Sequence, residues 1–298
     1  MTEILDVMPT VEAWDQSVWC LAALALATDH REETPLTAAA DRVLAAVGLV
    51  DEPGQPPRGV DPTVMHLLSS QAAAPLHQTS ALVGSRKVDW SAQSDESLLA
   101  QGRASAQGAR PFAQFLLPQM GDLAERLARP GGRMLDVGTG VGALAISYAE
   151  VFPLLDVVGI DVLAHALDLA RLTIGSSTVS DRVTVRRQDV AELTDDAGFD
   201  LAWVPAPFIP EPALRRGLSQ VATALRPRGW VMVAHGKFGL DPVRDALTRL
   251  KTLAYGGTPL DDAAAQRLLT ENGLTSVTTA LTPPGAPAIT LGCAPSAT

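Results

Sequence analysis

The sequence predicts an α/β protein: a doubly wound, mostly parallel sheet with helices on both faces, preceded by a mainly helical region. Two observations carry this. After the boundary turn Arg129-Pro130-Gly131-Gly132, short apolar runs long enough only for buried strands alternate with segments of helical spacing. The first run, Met134 to Val137, breaks into Gly138-Thr139-Gly140-Val141-Gly142 and resumes at helical spacing through Leu144, Ala145, Tyr148 and Ala149. A strand, a glycine turn and a helix in that order form a crevice for a nucleotide-like ligand: the glycines let backbone approach it, and the helix start offers unpaired N–H groups.

Composition narrows the class. A chain of 298 residues with 47% hydrophobic residues can bury a sizeable core and has room for one domain plus a smaller partner. A formal net charge of −10 argues against nucleic acid or an anionic membrane surface as the main partner, since both select basic faces. The densest apolar run, Val18 to Ala27, suits a buried helix rather than a bilayer span. No basic leader opens the chain, and Cys20 and Cys293 show neither disulfide-scaffold nor metal-ligand spacing. A reducing cytoplasm and no metal are expected.

In chain order, residues 11 to 29 read as a helix with Trp14, Val18, Leu21, Ala22 and Ala25 on one face. Thr34-Pro35 marks the next helix start, with Thr34 as N-cap, Pro35 at the first position and Gly48 just past the end. A Pro/Gly-rich piece to Pro62 and a short helix through Val64, Leu67 and Leu68 follow. Residues 81 to 128 read as helical, with a turn at Asp89-Trp90-Ser91 and one helix running from Asp95 to Phe115. The expected division is a helical unit over 1–110 and a ligand-binding unit over 111–298.

Within the second unit the acids are informative. Asp136 ends the first strand, two residues before the first glycine. Gly138, Gly140 and Ala143 also satisfy a dinucleotide pattern, but a pyrophosphate beside Asp136 would be repelled, whereas a cationic amine would be attracted. Asp161 ends the second strand, Val157 to Ile160, where a carboxylate accepts both hydroxyls of a ribose. Asp189 follows the third, Val183 to Val185. With Leu135-Asp136-Val137-Gly138-Thr139-Gly140, the chain resembles the class I S-adenosylmethionine (SAM)-dependent methyltransferases. That resemblance implies a Rossmann-like, seven-stranded sheet and SAM as cofactor. It assigns Asp136, Gly138, Thr139, Gly140, Gly142, Asp161, Val162, Asp189, Val190 and Pro205 to the cofactor, Asp189 taking the adenine amino group and the next backbone N–H meeting the ring.

Strand four, Phe199 to Val204, runs into Pro205-Ala206-Pro207-Phe208, where the family places its substrate-facing loop. Methyltransferases acting on bases or glutamine side chains have Asn/Asp-Pro-Pro-Tyr/Phe there. This chain lacks the polar residue, so Trp203, Pro207 and Phe208 are expected to wall an apolar acceptor pocket. Strand five, Trp230 to Ala234, ends at His235, a candidate general base that could equally be a hydrogen-bonded structural residue. Thr275 to Ala280 and Ala288 to Cys293 read as an antiparallel hairpin at the sheet edge.

Residues 34–70 resemble, more loosely, the winged-helix dimerisation domain of small-molecule O-methyltransferases, which implies a homodimer. The expected function is methyl transfer from SAM to a small apolar or aromatic acceptor, at oxygen first of all, in bacterial secondary metabolism. The alternatives are an inactive SAM-fold or winged-helix regulatory protein and, disfavoured by Asp136, an NAD-dependent oxidoreductase.

Overall fold

A computed structural model describes residues 4–26, 34–51, 62–85, 88–239, 241–282 and 286–296. The expected Pro/Gly-rich turn at 52–61 and the end of the first helix, 27–29, lie outside the described residues.

The amino-terminal region holds α1 (Ile4–Leu26), α2 (Pro35–Ala46), α3 (Pro62–Ser85) and α4 (Asp95–Ala106). Helix α2 starts as its sequence requires: the Thr34 hydroxyl accepts from Thr37 N, and Thr37 returns a bond to the Thr34 backbone. Before residue 132 the described residues include no strand, so the β-wing of a winged helix is not among them. The helix expected from Asp95 to Phe115 is broken. It stops at Ala106 and is followed by one short turn, α5 (Ala109–Pro111), a π-helical turn at Phe112–Leu116 and α6 (Leu123–Leu127). Two features fit the break: Pro111 offers no N–H, and Gly108 lies so close to Leu144 that an added Cβ would meet its Cδ1 at 3.2 Å.

The carboxyl-terminal unit follows the order β1 (Gly132–Val137), α7 (Ala143–Val151), β2 (Leu155–Asp161), α8 (Ala164–Gly175), β3 (Val183–Arg187), β4 (Phe199–Pro205), α9 (Glu211–Ala224), β5 (Leu225–His235), α10 (Pro242–Ala254), α11 (Asp262–Glu271), β6 (Thr275–Thr279) and β7 (Ala288–Cys293). The sheet order is β3-β2-β1-β4-β5-β7-β6. Strands β1 to β5 pair in parallel, and β7 runs antiparallel between β5 and β6. The expected hairpin therefore exists with its later strand inserted inside the sheet.

The strands are apolar on both sides because helices cover both faces. Met134, Leu201, Met232 and Leu291 point to one face, where Phe112, Tyr148 and Ile174 meet them. Leu135, Val137, Ala202, Val204, Val231 and Val233 point to the other, against Leu214, Leu218 and Val221 of α9 and Leu268 and Leu269 of α11. Each of these large side chains contributes about 1.5–3 kcal/mol by burial. At the amino ends of the strands, buried Asp200 accepts from Arg126, from Arg226 Nη1 at 2.6 Å and from Arg133 N at 3.0 Å. A carboxylate so matched anchors β1, β4, β5 and α6 to one another.

Candidate functional site

The glycine turn sits at the carboxyl end of β1. Gly138, Gly140 and Gly142 have φ values of 68°, 56° and 77°, a region that only glycine enters without strain. The turn is tied to β2: Gly138 N and Thr139 N both donate to Ile160 O, at 2.8 and 3.0 Å. With its backbone held there, Thr139 folds its side chain beneath the turn and donates to Asp136 Oδ2 at 2.7 Å. Gly159 makes room for it; a Cβ there would meet Thr139 Oγ1 at 2.5 Å. Gly142 precedes α7 without a side-chain cap, so the first N–H groups of that helix keep no side-chain acceptor.

The three acids lie along this edge in different states. Asp136 is 1% exposed. Burial pushes its carboxyl up to about 7, against the Thr139 hydrogen bond and with a smaller push from Asp161. Asp161 accepts from Gly140 N through Oδ2 and from Leu163 N through Oδ1, both at 2.9 Å. Burial still raises it, with those backbone bonds opposing. Each of its oxygens keeps acceptor capacity for a further donor. Asp189 Oδ1 caps the turn Val190–Glu192 by accepting from Ala191 N at 2.9 Å. Val190 itself is buried against Gly217 of α9, and Val162 is exposed. Among the described residues no Lys, Arg or His is ion-paired with Asp136 or Asp161.

The strand-four loop closes over the same edge. Pro205 lies beside Gly138, its Cγ 3.7 Å from where a glycine Cβ would stand. Trp203 is half-buried on the Met134 face of the sheet and in register with Asp136. Phe208 stacks on Tyr255 with ring centroids 5.1 Å apart at 12°, and Trp90 meets it edge-on at 5.5 Å. The turn Gly256-Gly257 presses directly on the Ala206-Pro207 backbone; Gly257 has no space for a side chain, and Thr258 N donates to Ala206 O at 3.0 Å. Pro207 and Phe208 are thus held from behind. Sequence reading missed Trp90 and Tyr255 as members of this set. It also missed the polar chain behind them, in which Tyr255 Oη donates to Gln78 Oε1 and Gln78 Nε2 to Gln101 Oε1, both at 2.6 Å. Next to Gln101, Gly102 lets α4 press on Val141 of the glycine turn. One helix therefore touches the cofactor side and, through Gln78, the aromatic side.

His235 does not join them. It points to the sheet face opposite Trp203, because strand neighbours alternate and Met232, three residues earlier, shares the Trp203 face. Its side chain has no solvent exposure. Nε2 is 2.8 Å from Thr290 Oγ1 on β7, and Nδ1 is 3.1 Å from Gly236 O. Burial lowers its pKa, favouring the neutral ring. The histidine thus stands apart from Trp203 and Phe208, and its contact with Thr290 ties β5 to β7.

Comparison with known proteins agrees with the geometry. A family model described as a methyltransferase domain matches residues 134–229. A release factor glutamine methyltransferase from Rhodopirellula baltica is 35% identical over 103 residues, covering 34% of this chain and 35% of that protein. The chain thus spans about a third of that relative's length. Among solved structures, an O-methyltransferase family protein from Burkholderia thailandensis matches with TM-score 0.64 at 16% identity over 100% of both chains. Human N-acetylserotonin methyltransferase in complex with SAM matches with TM-score 0.67 at 13% identity over 99% of both. At such identities the likeness is one of fold. The chain shares the fold of these methyltransferases, and its residues 134–229 match the methyltransferase domain model.

Proposed function

We propose that this chain transfers a methyl group from SAM to a small, largely apolar or aromatic acceptor, at oxygen in the first instance. The carrying observation is the pair Asp136 and Asp161, buried at the carboxyl edge of the sheet beside a phosphate-averse glycine turn and ion-paired with no cation among the described residues. The residues present fit the cofactor: Asp161 has acceptor capacity for ribose hydroxyls, Asp189 and the Val190 backbone for the adenine, and Asp136 for the methionyl amine. When bound, SAM supplies an electrophilic methyl group on a sulfonium. The chain's own residues then orient and exclude water: Trp203, Pro207 and Phe208 wall the acceptor, and the Gly257 contact keeps that wall rigid. No general base is assigned, so the acceptor arrives ionised or loses its proton to water.

Calorimetry tests the cofactor half: micromolar binding of SAM and no binding of NAD is expected, and the reverse would overturn it. A panel of phenols, enols and carboxylic acids, with products read by mass spectrometry, tests the acceptor half. SAM binding with no turnover on any of them would favour an inactive SAM-binding protein.

The assembly belongs to the same reading. Helix α1 carries Trp14 and Trp19, each 66% exposed; of its described side chains those from 9 to 19 are exposed, and burial begins towards its end. A homodimer formed largely by the first hundred residues covers that surface. Light scattering reporting a monomer would remove it.

A further inference from the structure

A second helix of this chain shows an apolar stripe to solvent. In α10 only Thr252 is buried. Val243, Leu247 and Leu250 recur at i, i+4 and i+7 and so share one side, with Leu253 beside them; all are exposed, Val243 to 67%. Helical spacing sets Arg244 and Lys251 along one flank of that stripe. Arg244 is paired with Asp241 through a contact of 3.2 Å, in which both side chains remain open to solvent.

Helix α1 is the counterpart. Val11, Trp14, Val18 and Leu21 recur at i, i+3, i+7 and i+10 and are exposed. Its charged residues are Asp6, Glu12 and Asp15, with no base on the helix, and Glu12 and Asp15 follow one flank of the stripe. An apolar stripe edged by acids and an apolar stripe edged by bases are complementary in both respects. The two helices also border the same region of the molecule, since α3 packs along α1 and its Gln78 accepts from Tyr255, the residue that caps the end of α10.

We infer that α1 of one copy docks on α10 of a second copy, Glu12 and Asp15 facing Arg244 and Lys251, with the contact made twice across a two-fold axis. This rests on the homodimer proposed above and extends its surface beyond the first hundred residues to α10. A two-fold axis makes the arrangement closed, since each copy gives one α1 and one α10. Burying Trp14, Val18 and Leu21 against Val243, Leu247 and Leu250 supplies the apolar centre; the charges fix register. Because Tyr255 caps the end of α10, the docked helix also braces the aromatic set that lines the acceptor side.

Charge reversal tests this on the full chain, with the dimer constant read by sedimentation at low ionic strength. The variant Arg244→Glu/Lys251→Glu should dimerise about tenfold or more weakly than wild type, and so should Glu12→Arg/Asp15→Lys, because each places like charges opposite one another. Mixing the two variants should restore dimerisation, since both α1–α10 contacts then pair opposite charges. Added salt should narrow the differences. Wild-type dimerisation by the α10 variant would overturn the pairing while leaving the homodimer standing. So would two weakened variants that fail to rescue each other. A monomeric wild-type chain would instead remove the dimer itself.

Discussion

Asp200 and Asp136 lie in adjacent strands and are buried to nearly the same degree, 2% and 1% exposed, yet at opposite ends of the sheet. At the amino end, Asp200 meets two guanidinium groups and a backbone N–H. At the carboxyl end, Asp136 has a threonine hydroxyl and an acid for a neighbour, and its carboxyl is pushed up to about 7. The contrast separates two uses of a buried charge. One is neutralised by the chain itself and stabilises it; the other is matched by no cation among the described residues, and we propose that it serves the cofactor. Open α/β sheets bind ligands at the carboxyl edge of their strands, and the unmatched acid falls there.

The sharpest way to break the comparison is at its structural end. Asp200→Ala leaves Arg126, Arg226 and the Arg133 N–H without their common acceptor, which should cost about 3–5 kcal/mol of stability. Urea unfolding measures it, and SAM affinity of the folded variant should be unchanged. A loss of less than about 1 kcal/mol would place Asp200 among ordinary surface ion pairs.

His235 asks whether location or partnership decides. It lies at the carboxyl edge but is matched by Thr290 and Gly236, so it belongs with Asp200. His235→Ala should cost about 2–3 kcal/mol, through the cavity and the Thr290 hydroxyl left unpaired. The sign with pH is fixed: burial lowers the folded imidazole below its ordinary 6.5, so wild-type stability is full above that value and declines as pH falls below it. The variant loses that decline. Its turnover should keep any titration limb near neutrality; a lost limb would return His235 to the chemistry.

At the ligand end, Asp161→Ala removes the acceptor proposed for the ribose hydroxyls and should weaken SAM by about tenfold to a hundredfold, or roughly 1.5–3 kcal/mol. Calorimetry on Asp161→Ala and Asp161→Asn separates lost charge from lost shape. Unchanged binding by both would end the ribose assignment.

The smallest effect is the most specific. A cationic amine beside Asp136 favours its ionised form, so SAM affinity should rise with pH towards about 7, by at most tenfold per pH unit, and level off above. Without ligand the sign runs the other way. The folded carboxyl titrates near 7 and the unfolded one at 3.8, so folded protein holds the extra proton and stability falls as pH rises between them. Asp136→Asn should flatten both profiles. A wild-type affinity independent of pH would show that Asp136 does not sense the cofactor.

Much of this was legible in the sequence because it is local. The strand-turn-helix at Met134 to Ala149, the acids at three strand ends and the Thr34-Pro35 helix start depend on neighbours within a few residues. The aromatic set was not, because Trp90, Phe208 and Tyr255 come from three distant segments, and nothing in a half-buried tyrosine's own surroundings announces its partners. The facing of His235 was illegible for another reason. In a strand covered on both sides, apolar residues fill both phases, so alternation carries no signal about which face a residue takes. Asp200 carries no such local signal, since its arginines lie 74 and 26 residues away.

The placement of β7 has a consequence for how the chain is made. Strand β6 leaves the ribosome before β7, yet among the described strands of the finished sheet β7 is its one neighbour. Until the later strand arrives, β6 has no edge to join, and β5 presents an unpaired edge of its own. The composition of β6, Thr275-Ser276-Val277-Thr278-Thr279, suits the delay: hydroxyl side chains tolerate water and offer little apolar surface for a stray strand to seize. The apolar strand of the pair, Ala288-Ile289-Thr290-Leu291-Gly292-Cys293, emerges second, when β5 already presents the edge that it joins. Synthesis order thus keeps the aggregation-prone strand out of solution for the shortest time.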